Sequence, residues 1–389
     1  MKTSQRLEKI PPYLFAQIDK KIDEAKEKGI NIISLGIGDP DMPTLPNIVG
    51  AMHEAIYKPE NHDYPPYQGT KEFRKASANW MKKRFNVELD YDSEMLALIG
   101  SKEGLAHIFF AFVDSNDIVL VPDPGYPVYK NGTILAGGEI YLMPLLAQNN
   151  FLPNFEKIPP EIAKRAKLMF LNYPNNPTGA VADLEFYQKA VDFAKKYDIL
   201  ICNDQAYSEM TYDNYIAPSI LEIEGAKDCA IEFYSHSKSY NMTGWRIGFA
   251  CGNKEAIKAL GTIKNNIDSG VFKAIQEAGI EAYNTPKSEI EKLNKIYQKR
   301  RNIVENALKE LGWNIKPTKG TFYLWLPTPN NMPSADFCEM LIERTGVVVV
   351  PGVGYGENGE GYFRIALTKD EKIIREAMER IKKAGIKYQ

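Results

Sequence analysis

Tyr234-Ser-His-Ser-Lys238-Ser-Tyr-Asn-Met-Thr-Gly-Trp-Arg246-Ile-Gly-Phe249 is the stretch on which the reading of this chain turns. Lysine is the commonest kind of surface residue, yet Lys238 follows an apolar run and is flanked by small hydroxyl side chains, with Gly244 and Arg246 shortly after. A lysine amine reacts only when neutral, so a site that uses one must desolvate and fix it. Ser235, Ser237 and Arg246 suit a phosphate, which arginine grips with planar, bidentate geometry. A Schiff-base lysine beside a phosphate site points to pyridoxal phosphate. The ordinary alternatives are a solvated lysine and, for Arg246, a surface ion pair.

Outward from this stretch, short apolar runs alternate with helical segments. Candidate strands cover 95–99, 117–121, 139–143, 168–171, 199–203, 230–234 and 247–251, and helical patterns at 104–112 and 184–197 fall between them. Such alternation predicts an α/β fold: a large domain with a mostly parallel seven-stranded sheet covered by helices. Active residues then belong at the carboxyl ends of the strands. From 288 onward the pattern changes to a long charged helix, strands near 321–326, 347–350 and 362–367, and two further helices. That is a smaller α+β domain, 288–389. The large domain spans 46–287. Segment 1–45, with a helix over 13–28 and a strand at 32–35, is expected to pack with the small domain.

Composition narrows the function. Apolar residues make up 44% and charged residues 25% of the 389, a globular balance. A net charge of −2 gives no broad basic surface for nucleic acid. No apolar run reaches membrane-spanning length, and the first residues lack a signal-like apolar stretch. The four cysteines, Cys202, Cys229, Cys251 and Cys338, have no CxxC spacing and read as buried thiols. The four histidines form no zinc-like pair. A cytoplasmic protein without metal, membrane or nucleic-acid partner is expected.

Five other strand ends or turns carry chemistry that pyridoxal phosphate needs. Gly100-Ser101-Lys102-Glu103-Gly104 follows a strand, and free N–H groups there favour a phosphate. In Asp123-Pro-Gly-Tyr126-Pro, the prolines hold a ring that can stack on a pyridine. Asn172-Tyr-Pro-Asn-Asn176-Pro-Thr-Gly179 is an extended turn from which the Asn176 amide can reach the cofactor's O3′. Asp204 ends a buried strand in Asn203-Asp204-Gln-Ala-Tyr207, where a carboxylate needs a cation such as a protonated pyridine nitrogen, and Tyr207 can face O3′. Arg364, in Phe363-Arg364-Ile-Ala-Leu367, suits an amino acid's α-carboxylate. Singly, these have plainer readings: a helix N-cap, a core ring, a turn, an N-cap aspartate, a buried salt bridge.

Together and in this order, the motifs resemble the class I/II aminotransferases, fold-type I pyridoxal-phosphate enzymes, along nearly the whole chain. The resemblance implies that Lys238 is the Schiff-base lysine and general acid/base, that Asp204 pairs with the pyridine nitrogen, and that Tyr207 and Asn176 face O3′. It places Tyr126 on the ring. Ser101, Lys102, Ser235, Ser237 and Arg246 fall on the phosphate side, and Gly38 and Arg364 on the substrate carboxylate. Tyr64, in His62-Asp-Tyr64-Pro-Pro-Tyr-Gln-Gly69, matches a tyrosine that reaches the neighbouring subunit's phosphate, which implies a homodimer with shared active sites.

Within the family, Pro12-Tyr13-Leu-Phe15, Leu35-Gly-Ile-Gly-Asp-Pro-Asp41 and Asn266-Ile-Asp-Ser-Gly-Val-Phe272 are similar to the LL-diaminopimelate aminotransferases. There, Tyr13 would approach the distal end of the substrate and Lys102 a distal carboxylate. The implied reaction passes an amino group between LL-diaminopimelate and 2-oxoglutarate, in lysine biosynthesis. The rivals are an aminotransferase for aspartate, alanine or aromatic amino acids, a C–S lyase using the same cofactor, and a non-catalytic cofactor-binding regulator. Some aspartate aminotransferases place a partner arginine in the stretch that here reads 265–272, which has none. A regulator would need an added DNA-binding module, and none is expected because the cofactor motifs start almost at the N-terminus and the net charge is not basic.

Overall fold

The computed structural model describes residues 1–10 and 14–388, the side chains of 14–19 excepted. Tyr13 therefore lies outside the described residues. In chain order the strands are β1 (Ile33–Ser34), β2 (Met95–Leu98), β3 (Ile118–Asp123), β4 (Glu139–Pro144), β5 (Ala166–Asn172) and β6 (Leu200–Asp204). There follow β7 (Ala230–Ser235), β8 (Gly248–Gly252), β9 (Tyr323–Pro327), β10 (Val347–Val348), β11 (Val350–Pro351) and β12 (Tyr362–Ala366).

Strands β2 to β8 form one seven-stranded sheet in the order β2-β8-β7-β6-β5-β3-β4. They are the seven runs expected from sequence, each end within two residues. β5 reads Ala-Lys-Leu-Met-Phe-Leu-Asn and is buried throughout except at Lys167. Near-continuous apolarity marks a strand covered on both faces. Alternate residues feed different cores: Ile118 and Leu120 pack with the helices Lys71–Phe85 and Leu184–Tyr197, while Val119 and Val121 pack with Ser101–Phe112 and Lys254–Ile267. Helix Leu184–Tyr197 shows how the sequence sets such an element. Asp183 caps it by accepting the Phe186 N–H at 2.9 Å, and Phe186, Tyr187, Ala190, Val191 and Ala194 form its buried stripe.

All pairings in the sheet are parallel except those of β8, which runs antiparallel to both β2 and β7. The connection between β7 and β8 carries only the four-residue helix His236–Ser239, much shorter than the helix that usually crosses over to a parallel neighbour. The reversal has a functional consequence. The start of β8 lies at the same sheet edge as the carboxyl ends of the others, so Arg246 arrives beside Lys238.

A second core gathers β9, β12, Val347 of β10 and the helices Lys287–Glu310, Ser334–Thr345 and Glu371–Lys383. β11, β12 and β9 pair antiparallel, with Arg364 opposite Trp325. β1 pairs in parallel with β10, and the Leu35 carbonyl accepts the Ala366 N–H at 2.7 Å. Helix Leu14–Glu27 presents Ile22 and Ala25 to Ile342 and Val348. The chain thus enters against this second core, then crosses to the large sheet through Gly36 and Gly38. Tyr207 and Met210, which follow β6, also pack into the second core, closing the sheet edge from that side.

All four cysteines are free and buried. Among the described residues, no helix is long and apolar enough to cross a membrane.

Candidate active site

A cavity opens where the carboxyl edge of the large sheet meets the second core. It is lined by Gly38, Ser101, Lys102, Tyr126, Asn176, Asp204, Tyr207, Ser235, Ser237, Lys238 and Arg246, all singled out from sequence, and also by Leu105, Asn172, Ala206, Thr243 and Tyr323. Arg364 stands just behind this lining. Its Nη1 donates to Asn176 Oδ1 at 2.8 Å, and its guanidinium covers the Tyr323 ring at 4.0 Å.

Lys238 sits on the short helix that Ser235 starts, with Ser235 Oγ accepting the Ser237 N–H at 3.2 Å. Its amine donates to the Gly38 carbonyl at 3.3 Å and lies 5.5 Å from the Phe322 ring centre. Burial lowers its pKa, with Arg246 and Arg364 adding to the fall and Tyr323 and Asp39 opposing it. The amine is thereby brought toward its nucleophilic form.

Asp204 ends β6 opposite Asn172 on β5 and Phe233 on β7. Its Oδ2 accepts from the Tyr129 hydroxyl at 2.8 Å and its Oδ1 from the Ala206 N–H at 3.2 Å. No cationic side chain pairs with it among the described residues. Burial therefore raises its pKa to about 6, with the two donors pulling the other way. Asn172 holds both neighbouring segments: its Nδ2 donates to the Asp204 carbonyl at 2.7 Å and its Oδ1 accepts the Asn176 N–H at 2.8 Å.

At the opposite end the cavity gathers Ser101, Ser235, Ser237 and Arg246, groups whose chemistry suits an anion. The helix expected to begin near 104 starts at Ser101, so 100–104 is its first turn and not a preceding loop. Gly100 allows this early start with φ of 74°, and the Glu103 carboxylate reaches back to the Ile99 N–H at 3.0 Å. A Cβ on Gly100 would meet Arg246 Nη2 at 2.4 Å. Arg246 itself holds φ of 56°, and its Nη1 donates to the Thr243 carbonyl at 2.7 Å and to Ser237 Oγ at 3.5 Å. A left-handed, non-glycine residue at a site is strain that its surroundings must offset.

Arg364 is buried and has no carboxylate partner among the described residues, so the plainer reading of a buried salt bridge does not hold. Its Nη2 donates to the Gly36 carbonyl at 2.8 Å, while Nε is buried without a partner. Tyr126 starts helix Pro127–Ala136 and meets the Tyr129 ring edge-on. Tyr64 is not part of this cavity and stands 85% exposed.

Tyr129, Asn172 and Tyr323 were missed by sequence reasoning. Asn172 opens the quoted turn that carries Asn176, and Tyr129 lies one helical turn past Tyr126, two residues beyond the quoted Asp123–Pro127 stretch. Tyr323 reads as an ordinary strand aromatic and gives no separate signal. Among the described residues, Glu103, His107 and Asp268 lie close enough to share an ion. Buried Lys264 already bridges Glu103 at 3.2 Å and Asp268 at 2.9 Å.

The family model for aminotransferase class I and II matches residues 30–381. The chain belongs to that family. Aminotransferases of this class are, in general, pyridoxal-phosphate enzymes. Over 389 residues, and 100% of both chains, this aminotransferase is 54% identical to LL-diaminopimelate aminotransferase 2 of Trichormus variabilis. It is 54% identical over 383 residues to the LL-diaminopimelate aminotransferase of Moorella thermoacetica, covering 98% of each. Among solved structures, it is similar to substrate-bound BacF from Bacillus subtilis with a TM-score of 0.95 and 39% identity, covering 100% of this chain and 99% of that one.

Proposed function

We propose that this aminotransferase passes an amino group between LL-diaminopimelate and 2-oxoglutarate, in the biosynthetic direction aminating tetrahydrodipicolinate, with pyridoxal phosphate held by Lys238. The observation that carries the reading is one cavity holding a desolvated lysine and an uncompensated buried carboxylate, with an arginine that has no carboxylate partner just behind its lining. Each lacks a counterpart that the cofactor or an amino acid would provide. The full-length identity to LL-diaminopimelate aminotransferases supports the choice of substrate.

The residues fit the cofactor. Asp204 would take the ring N–H, which meets its need for a cation. Tyr126 would stack on the ring, and Tyr207 and Asn176 would face O3′. Ser101, Lys102, Ser235, Ser237 and Arg246 would hold the phosphate at the helix N-terminus. When bound, pyridoxal phosphate supplies a carbon that exchanges Schiff bases and a protonated ring that withdraws electrons. Arg364 and Gly38 would seat the substrate's α-carboxylate, leaving the α-hydrogen toward Lys238. Lys238 Nζ, poised toward neutrality by burial, would take the α-proton as general base and return it as general acid. Tyr13 and Lys102 would serve the distal end of the substrate.

Tyr64, exposed in one chain, would complete the neighbour's phosphate site in a homodimer with shared active sites. The proposed domains are 46–287 and 288–389, with 1–45 packed on the latter, and the proposed compartment is the cytoplasm. A panel of amino donors with 2-oxoglutarate tests the substrate. LL-diaminopimelate is expected to give the highest kcat/KM, and parity with aspartate or alanine would overturn the assignment.

A further inference from the structure

Tyr323 touches more of the cavity's chemistry than any role given so far accounts for. It is the first residue of β9 and is buried. The Arg364 guanidinium lies over its ring, at 4.0 Å, and over that of Tyr355, at 4.8 Å. Arg364 donates to Asn176 and Gly36 and has a buried Nε without a partner, so packing against the two rings helps to hold its guanidinium in place. At its other end, the Tyr323 hydroxyl accepts from the Tyr207 hydroxyl at 3.5 Å. A Cβ on Gly38 would come within 1.9 Å of that hydroxyl, so the absence of a side chain at 38 makes room for it.

We propose that Tyr323 is a positioning residue that couples the two halves of the site, its ring clamping Arg364 and its hydroxyl setting the direction of the Tyr207 proton. This rests on the functional reading above. When Tyr207 donates to an acceptor in the cavity, the Tyr323 hydroxyl can turn its own proton to the Tyr207 oxygen. A donor that itself receives a hydrogen bond donates more strongly. Tyr323 would thus strengthen the contact from Tyr207 to O3′ and draw electron density from the cofactor. The ring and the hydroxyl make separable predictions: the ring acts on carboxylate binding, the hydroxyl on the cofactor's titration.

The test uses the holoenzyme and three variants. Tyr323→Phe keeps the ring, so KM for the amino and oxo acids should stay within about twofold. The pH midpoint of the cofactor's absorbance change should move up by about half a unit, since weaker donation to O3′ favours the protonated imine. The same substitution in a Tyr207→Phe background should add no shift, because the hydroxyl then has nothing to act on. Tyr323→Leu removes the ring and should raise KM for both acids about tenfold. Cofactor affinity, read by fluorescence titration, should change less than about threefold. An unmoved midpoint in Tyr323→Phe overturns the inference, as does a KM rise equal to that of Tyr323→Leu. The Phe variants preserve packing and decide the matter even if Tyr323→Leu does not fold. If wild-type protein takes up no cofactor on Lys238, the functional reading falls and this inference with it. Normal uptake with an unmoved midpoint removes this inference alone.

Discussion

Asp204 carries the clearest energetic signature at the scale of single residues. Its pKa rises from 3.8 to about 6 in the folded chain. Without cofactor, the group is protonated in both folded and unfolded states below about pH 4 and ionised in both above about pH 6. Between these limits the folded state binds more protons, so the stability of the cofactor-free protein falls as pH rises, by roughly 3 kcal/mol in total. Asp204→Asn should abolish that loss. Melts of cofactor-free wild type and variant should converge near pH 4, with the variant higher at pH 8. A gap independent of pH would reject the account. Turnover should be lost in the same variant, because a neutral amide cannot keep the pyridine protonated. Lys238→Ala should be inactive and should not retain cofactor after borohydride treatment, read by mass spectrometry. Lys238 and Asp204 were legible in sequence because each is a polar residue at the end of an apolar run, where it needs a partner. Tyr129 was not singled out, since its role depends on Asp204 from a distant part of the chain.

Single elements place these residues at one edge. Five parallel strands deliver Ser101, Tyr126, Asn176, Tyr207 and Lys238 just past their carboxyl ends, and antiparallel β8 delivers Arg246 just before its start. Strand positions came through from apolar runs, whereas helix starts were less legible. The early start at Ser101 depends on the backbone conformation of Gly100 and on a side chain that reaches back from Glu103. Gly100→Ala tests this element. Its added Cβ would face both the positive φ and Arg246 Nη2 at 2.4 Å. Cofactor Kd is expected to rise about tenfold or more, with kcat at saturating cofactor much less affected. Unchanged affinity would mean that the cradle tolerates the shift.

Two contacts govern the whole molecule. Arg300, buried in helix Lys287–Glu310, grips Asp41 at 2.7 Å and 2.9 Å and donates to the Leu367 carbonyl at 3.0 Å. This ties the crossing segment that carries Gly38 to the second core. Asp41→Asn strands much of a buried guanidinium's charge and should cost on the order of 2–4 kcal/mol, measured by urea unfolding. The second is the contact between chains proposed for Tyr64. If Tyr64 serves the neighbour's site, Tyr64→Ala and Lys238→Ala proteins are each impaired, but refolding an equimolar mixture should restore about a quarter of wild-type activity through hybrid dimers with one intact site. No recovery would place Tyr64 outside the neighbour's site.

By itself, the sequence determined the sheet, its strand ends and the chemical types gathered there, because burial periodicity and turn chemistry are local properties. Tertiary structure decided the reversal of β8, whose link to β7 holds only one short helix and no crossover helix. It also decided that Arg364 packs on aromatic rings instead of facing a carboxylate. Tyr323 acquires its contacts with Arg364, Tyr207 and Gly38 only when elements far apart in the chain converge, and no local pattern encodes that meeting.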